Sequence, residues 1–247
     1  MAPSTPRESS GRIRDASGSS APCSRAKRAA TIHSVMKTKL PTIDYKGEDA
    51  RAIALLAARL CLLPDKKTVG QFKKAVFPTQ RKTALRATPI IDESNKEIGM
   101  WDDNTTPRWA LRWSHDIPGG DTALQGWRVA HVWNDCNELD CYTRLENLLL
   151  VPAAYAGLTD DDGPLAPYLR YHAFAAYEEW HPECRRRPEK PDDYDSFRHS
   201  WQYIDGEDGN ARERVLTQLQ KSQSERAKVL QNFIKNISYW DEASGKT

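Results

Sequence analysis

The central stretch of the chain, residues 126–160, reads GWRVAHVWNDCNELDCYTRLENLLLVPAAYAGLTD. A short apolar run with aromatic residues ends at His131, and a polar loop follows it. Asn147 then opens a second apolar run, residues 148–151, and the residues after Pro152 are typical of a short helix. This order of apolar runs and breaks predicts a strand, a loop, a second strand and a helix.

The polar residues of this stretch suit phosphodiester hydrolysis, which needs a proton acceptor, a cation and a scaffold that holds both in line. Histidine titrates near neutrality, so His131 is the candidate general base. Asn147, at the start of the next apolar run, is the candidate residue that orients the imidazole. Carboxylate oxygens are the ligands that Mg²⁺ or Mn²⁺ prefers. The candidate metal ligands are the nearby aspartates, Asp135, Asp160, Asp161 and Asp162.

These residues resemble the HNH, or ββα-metal, nucleases over residues 126–180. The likeness rests on a histidine after the first strand, on the run ENLLLVP at the second strand, and on a following helix. Within this superfamily, the stretch is similar in particular to bacterial restriction or defence nucleases. The resemblance implies that His131 is the base, that Asn147 supports the site, and that DNA or RNA is cut with Mg²⁺. The chain departs from the family at Ala130, where an acidic residue is common, and at residues 160–162, where aspartates replace a final histidine or asparagine.

Basic residues provide candidate contacts to a nucleic-acid backbone. Arg128 and Arg144 lie beside the central motif and could clamp the scissile phosphate. A basic amphipathic segment, residues 66–77, and the residues after it add Lys66, Lys67, Lys73, Lys74, Arg81 and Lys82. An ordinary solvated helix face explains the lysines equally well.

Helical patterns flank the motif on both sides. Apolar residues recur at helical spacing before it, and Pro107 opens a short helix that carries two tryptophans. After it, a helix is predicted over residues 165–180, a proline-rich linker over 181–200, and one long helix over 210–237. We therefore expect a mainly helical α+β fold in which a small ββα-metal module packs against flanking helices.

Composition sets broad limits on the chain of 247 residues. Lysine plus arginine number 36 against 34 acidic residues, so a nucleic-acid surface would have to be a local patch. The five cysteines include no pair with the two-residue gap of a zinc knuckle, so zinc is not predicted, although a role for Cys136 with Cys141 stays open. No apolar run reaches the length of a membrane span, and free thiols indicate a cytoplasmic setting.

The expected organisation has four parts. Residues 1–38 form a disordered basic tail, 39–125 a helical region with a basic face, 126–200 the HNH-like module with its helix, and 201–247 a helical extension. The predicted function is metal-dependent cleavage of nucleic acid, with double-stranded DNA as the main partner and a homodimer or protein partner as an addition. The alternative is a non-catalytic helical interaction protein that carries a degenerate HNH-like module.

Overall fold

The structure, a computed structural model, describes residues 47–119, 122, 124–134, 138–196 and 198–241. The predicted basic tail, residues 1–38, and the candidate ligand Asp135 lie outside the described residues. The helices are α1 Gly47–Leu60, α2 Lys66–Val69, α3 Thr105–Ser114, α4 Ala166–Ala176, α5 Ala211–Lys221 and α6 Glu225–Phe233. The strands are β1 Leu62–Leu63, β2 Thr79–Arg81, β3 Pro89–Ile91, β4 Glu97–Asp102, β5 Trp127–His131, β6 Leu148–Pro152 and β7 Gln202–Tyr203. The predicted α+β class is confirmed.

The predicted strands of the central motif form an antiparallel hairpin. β5 pairs with β6 from Trp127 opposite Pro152 to His131 opposite Leu148. Residues 148–151 are all buried, so the side chains on both faces of β6 lie in the core, and this explains their unbroken apolar run. β5 is the edge strand and is only partly buried, so His131 sits where the hairpin meets solvent.

Strands from distant segments extend this hairpin. The sheet order is β5-β6-β1-β7, with β1 antiparallel to β6 and parallel to β7. A hairpin alone is marginally stable in water, so the two added strands give it the support that the sequence did not reveal. The segment after β6 is a 3-10 helix, Ala153–Thr159, and α4 follows it.

A second sheet was not predicted. It has the order β2-β4-β3, and two of its strands have only three residues, which is too short for the alternation that marks a strand. β4 is central, and Gly99 lies where a Cβ would come within 2.5 Å of the Pro78 carbonyl oxygen. A larger residue at this position would push β2 away from β4.

Three predicted helices differ from the structure. The basic segment 66–77 is helical only in α2, and at its end the Thr143 hydroxyl binds the backbone of Phe77, donating to its carbonyl and accepting from its amide. The helix over 165–180 ends at Tyr177, whose hydroxyl donates to the Pro64 carbonyl. The single helix over 210–237 is two, because the Ser224 side chain caps α6 by accepting from the Ala227 amide.

A buried ion pair joins the second sheet to α6. Asp102, fully buried at the end of β4, accepts from the amide and hydroxyl of Thr106 at 2.8 Å each and from Arg226 Nε at 3.1 Å. Arg226 also binds Asp103 at 2.6 Å. Both carboxylate oxygens of Asp102 therefore accept hydrogen bonds, which is the condition for burying a carboxylate without a large free-energy penalty.

In the described part of the chain, no helix is long and apolar enough to cross a membrane.

We expect Arg226→Met to lower the free energy of unfolding by about 3 kcal/mol, because it leaves the buried carboxylate of Asp102 without its counter-charge. Urea denaturation at pH 7 measures this change. Lys67→Met is the control: it breaks the exposed Lys67–Asp208 pair, and exposed pairs contribute little. Equal midpoints for the Arg226 variant and wild type would show that the ion pair does not stabilise the fold.

Candidate active site

His131 is fixed by a backbone carbonyl and a tyrosine ring. Its Nε2 lies 3.0 Å from the Tyr142 carbonyl oxygen, and its ring stacks on the Tyr142 ring with centroids 5.2 Å apart and planes 13° apart. A carbonyl oxygen can only accept, so Nε2 carries the proton. In the neutral imidazole this leaves Nδ1 as the nitrogen that can accept a proton.

Tyr142 is itself anchored across the site. Its side chain is fully buried, and its hydroxyl donates to Asn104 Oδ1 at 2.9 Å. Asn104 precedes α3 with a positive φ of 85°, a conformation that asparagine tolerates better than most residues. The start of α3 thus holds the ring against which His131 packs.

Asn147 acts on the loop between the strands rather than on the imidazole. The side chain is fully buried; its Oδ1 accepts from the Trp133 amide at 2.7 Å and its Nδ2 donates to the Cys141 carbonyl at 2.9 Å. Its own carbonyl accepts from the Val132 amide at 2.9 Å. One amide side chain therefore ties both ends of the loop together, next to the carbonyl that binds His131.

Burial keeps His131 neutral. It lowers the pKa of the imidazole from 6.5 to about 4; the hydrogen bond to Tyr142 raises this pKa and the positive charge of Arg81 lowers it. At neutral pH the ring is therefore in the form that accepts a proton. A negative group bound beside it would favour the imidazolium and raise its pKa toward the working range of a general base.

His131 opens on a cleft of about 280 Å³, which we call the His131 cleft. It lies between β5, the 3-10 helix 153–159, the end of β2 and the start of α3. The polar residues that line it are Arg81, Asn104, Arg108, Arg128, His131, Asn134, Thr159 and Asp160. Three arginines face one carboxylate, so the cleft favours an anion.

The cleft offers a small set of oxygen donors for a cation. Asp160 supplies a carboxylate and Asn134 an amide oxygen, whereas the amide oxygen of Asn104 already accepts from the Tyr142 hydroxyl. Among the described residues there is no group of three or more histidines, cysteines, aspartates and glutamates that could hold a metal. Mg²⁺ keeps several waters and needs only one or two carboxylates, so these residues fit Mg²⁺ better than zinc.

Two more of the predicted metal ligands, Asp161 and Asp162, lie outside the cleft lining. Asp161 has a different partner. It forms an ion pair with Arg170, which packs over the Trp133 ring with its guanidinium 5.0 Å from the ring centroid. Arg170 also donates to the Val132 carbonyl at 3.4 Å. Asp161 therefore has a structural contact that supports the segment after His131.

Of the predicted nucleic-acid contacts, Arg81 and Arg128 are brought to the cleft. Arg144 is not: it pairs with buried Glu146 at 3.2 Å and packs over Trp180. The predicted lysines, Lys66, Lys67, Lys73, Lys74 and Lys82, do not line the cleft either. Lys67 pairs with Asp208, and Lys66, Lys74 and Lys82 lie over the rings of Tyr203, Tyr239 and Trp101.

Sequence reasoning missed Arg108, Asn134 and Asn104. Asn134 lies three residues after His131, so its position in the motif could have drawn attention to it. Arg108 and Asn104 belong to the start of α3, and no local sequence pattern links that segment to the hairpin.

No known protein-family model, curated protein or solved structure matches the chain.

Acid should destabilise the protein through its buried histidines. Burial lowers the pKa of His115 and His131 to about 4 and that of His172 to about 3, so between pH 6.5 and these values the unfolded chain binds more protons than the folded one. Stability then rises with pH in this window, by up to about 1.4 kcal/mol per pH unit for each histidine. Urea unfolding at pH 5.0, 5.5 and 6.0 measures the slope.

His131→Gln should reduce the slope of the unfolding free energy against pH by up to the contribution of one histidine, since glutamine does not titrate. An identical slope in wild type and His131→Gln would contradict the lowered pKa.

Asn147→Asp tests the loop clamp with a side chain of the same shape. The aspartate can still accept from the Trp133 amide, but it cannot donate to the Cys141 carbonyl, and a buried carboxylate adds a further cost. We expect a loss of about 1–3 kcal/mol in unfolding free energy. We also expect faster hydrogen exchange at the Tyr142 and Thr143 amides, and unchanged exchange there would mean that Asn147 does not hold the loop.

Proposed function

We propose that this protein is a metal-dependent endonuclease of the HNH type that hydrolyses phosphodiester bonds, with double-stranded DNA the preferred substrate over RNA. The observation that carries the proposal is the convergence on one cleft of a neutral histidine, three arginines and a carboxylate. The same cleft contains the edge of the hairpin whose sequence resembles that superfamily. None of these groups alone would support a reaction.

In this mechanism His131 Nδ1 accepts a proton from a water molecule as the water oxygen attacks phosphorus. The bond from phosphorus to the leaving oxygen breaks, and that oxygen takes up a proton from solvent. In the imidazolium that forms, Nε2 still donates its hydrogen bond to the Tyr142 carbonyl, and this bond stabilises the new positive charge. The anionic phosphate beside it adds to this stabilisation.

Positioning and charge stabilisation come from the remaining residues. Arg81, Arg108 and Arg128 would bind non-bridging phosphate oxygens, for which the guanidinium fork is well shaped. Mg²⁺ held by Asp160, with Asn134 beside it, would stabilise charge on the leaving oxygen. Since arginine contacts to phosphate release counterions, binding should weaken as salt concentration rises.

A non-catalytic interaction protein is the second candidate. It is favoured by the sparse metal donors, because among the described residues Asp160 is the carboxylate that lines the His131 cleft. In that case the arginines would bind an acidic partner surface, and His131 would serve only to pack against Tyr142. The two candidates differ in whether the imidazole takes part in a reaction.

A plasmid-nicking assay with Mg²⁺ or Mn²⁺ separates them. We expect His131→Ala to reduce the cleavage rate by at least about 100-fold, the usual contribution of a general base, and chelation of the metal to abolish cleavage. His181→Gln is the matched control, since His181 lies away from the cleft lining and should keep wild-type activity. Equal rates for wild type and His131→Ala would remove the catalytic role.

A wild-type protein that cuts neither DNA nor RNA with either metal would favour the interaction protein. Binding of both nucleic acids should then be measured for Arg128→Ala. A loss of binding in that variant would retain the cleft as a nucleic-acid site without chemistry.

A further inference from the structure

A second cavity of about 580 Å³ lies away from the His131 cleft and shares no lining residue with it. It is bounded by α4, by the start of α2, and by residues 190–196 and 198–203. We call it the aromatic pocket. Its polar and aromatic lining residues are Lys66, Tyr171, His172, Lys190, Tyr194, Asp195, Arg198, His199, Trp201 and Tyr203. Its volume is in the range of small-molecule sites in proteins.

The charges of the aromatic pocket favour an anion. Lys66, Lys190 and Arg198 supply three positive charges, and Asp195 supplies one negative charge. Asp195 binds Lys190 Nζ at 2.6 Å and lies 4.0 Å from Arg198. Two positive charges therefore remain in excess, while Lys66 Nζ lies over the Tyr203 ring at 5.6 Å from its centroid.

The walls of the pocket are aromatic and held in place. Tyr171 packs edge to face on Tyr194, with centroids 4.8 Å apart and planes at 81°. Tyr171 and Tyr203 are only partly buried, so part of each side chain remains accessible, whereas Trp201 and Tyr194 are buried behind them. Flat rings beside cationic side chains are the combination that binds a nucleobase and its phosphate.

His172 holds these rings in place through hydrogen bonds and stacking. Its Nδ1 lies 2.6 Å from the Tyr194 hydroxyl and its Nε2 lies 2.9 Å from the Tyr203 hydroxyl, while its ring stacks on Trp201 at 4.7 Å and 14°. Both ring nitrogens are thus used within the protein. His172 positions the pocket walls and is not available as a base, and rings that are already ordered lose less entropy when a ligand binds.

We propose that the aromatic pocket binds a nucleotide, with the base against Tyr171 and Tyr203 and the phosphate on Lys66 and Arg198. A purely inorganic anion would leave the aromatic walls unused, and an apolar ligand would leave the charges unmatched. A free nucleotide and an unpaired nucleotide at the end of a strand share this chemistry. The proposal concerns a site separate from the His131 cleft and does not require that the protein cut nucleic acid.

Titration of the full-length protein with adenosine monophosphate tests the proposal, with tryptophan fluorescence and calorimetry as readouts. We expect saturable binding below about 1 mM and at least a tenfold weaker Kd for Lys66→Ala and for Arg198→Ala. The matched control is Lys228→Ala, which removes an exposed lysine on α6 and should bind as wild type does. Both pocket variants change exposed side chains, and circular dichroism checks that they remain folded.

Two further titrations identify the source of the nucleotide. Tighter binding of a short single-stranded oligothymidylate than of adenosine monophosphate, with the same loss in Lys66→Ala, assigns the pocket to an unpaired strand end; the reverse order assigns it to a free nucleotide. Inorganic phosphate that competes as well as adenosine monophosphate would overturn the proposal. So would the absence of saturable binding, or a Kd unchanged by both Lys66→Ala and Arg198→Ala.

His131→Ala separates this proposal from the nuclease proposal. We expect that variant to keep wild-type affinity for adenosine monophosphate, because the cleft and the pocket share no lining residue. Loss of cleavage with retained nucleotide binding would support both proposals. Retained cleavage with absent nucleotide binding would overturn only the pocket.

Discussion

The side-chain amide of Asn147 is the constraint on which the candidate site depends. It uses a donor and an acceptor at once, because it binds a carbonyl at one end of the loop and an amide at the other. The loop that it closes supplies both the carbonyl and the ring that hold His131. A hydrophobic side chain could fill the same space but would leave both backbone groups buried without partners. The position therefore requires an amide for structural reasons before any catalytic argument begins.

The placement of the hairpin in its sheet determines the electrostatics of His131. β6 is central and buried, so it holds the register, while β5 is an edge strand that leaves its last residue beside solvent. Burial is deep enough to keep the imidazole neutral, yet the cleft remains open to an anion. In the proposed reaction the three arginines would draw a phosphate toward the ring, whereas without a bound anion the charge of Arg81 lowers the pKa of His131. Substrate binding and proton acceptance would then be linked by charge.

Two histidines in this fold, the partly buried His131 and the buried His172, have different hydrogen-bond partners. The hydrogen bond described for His131 engages Nε2, so Nδ1 is the nitrogen assigned to chemistry. His172 has both nitrogens engaged by tyrosine hydroxyls and stacks on a tryptophan, so it can only position its neighbours. Both rings have lowered pKa values for the same reason, burial. The lowered pKa therefore does not distinguish the two histidines, whereas the partners of their ring nitrogens do, and His131 is the one with the proposed role of base.

The sequence by itself determined the local elements of the motif: the strands β5 and β6, the residue that ends the first, and the asparagine that precedes the second. Apolar periodicity and breaks carry this information because they reflect contacts between near neighbours. Only the tertiary structure decided what surrounds His131. The start of α3 brings Asn104 and Arg108 to the cleft, and Asp161 forms an ion pair with Arg170. Most of the predicted phosphate-binding lysines form ion pairs or pack on aromatic rings within the fold. These placements follow from packing between segments far apart in the chain, which no local spacing records. The same holds for the second sheet, in which β4 pairs with a short strand on each side.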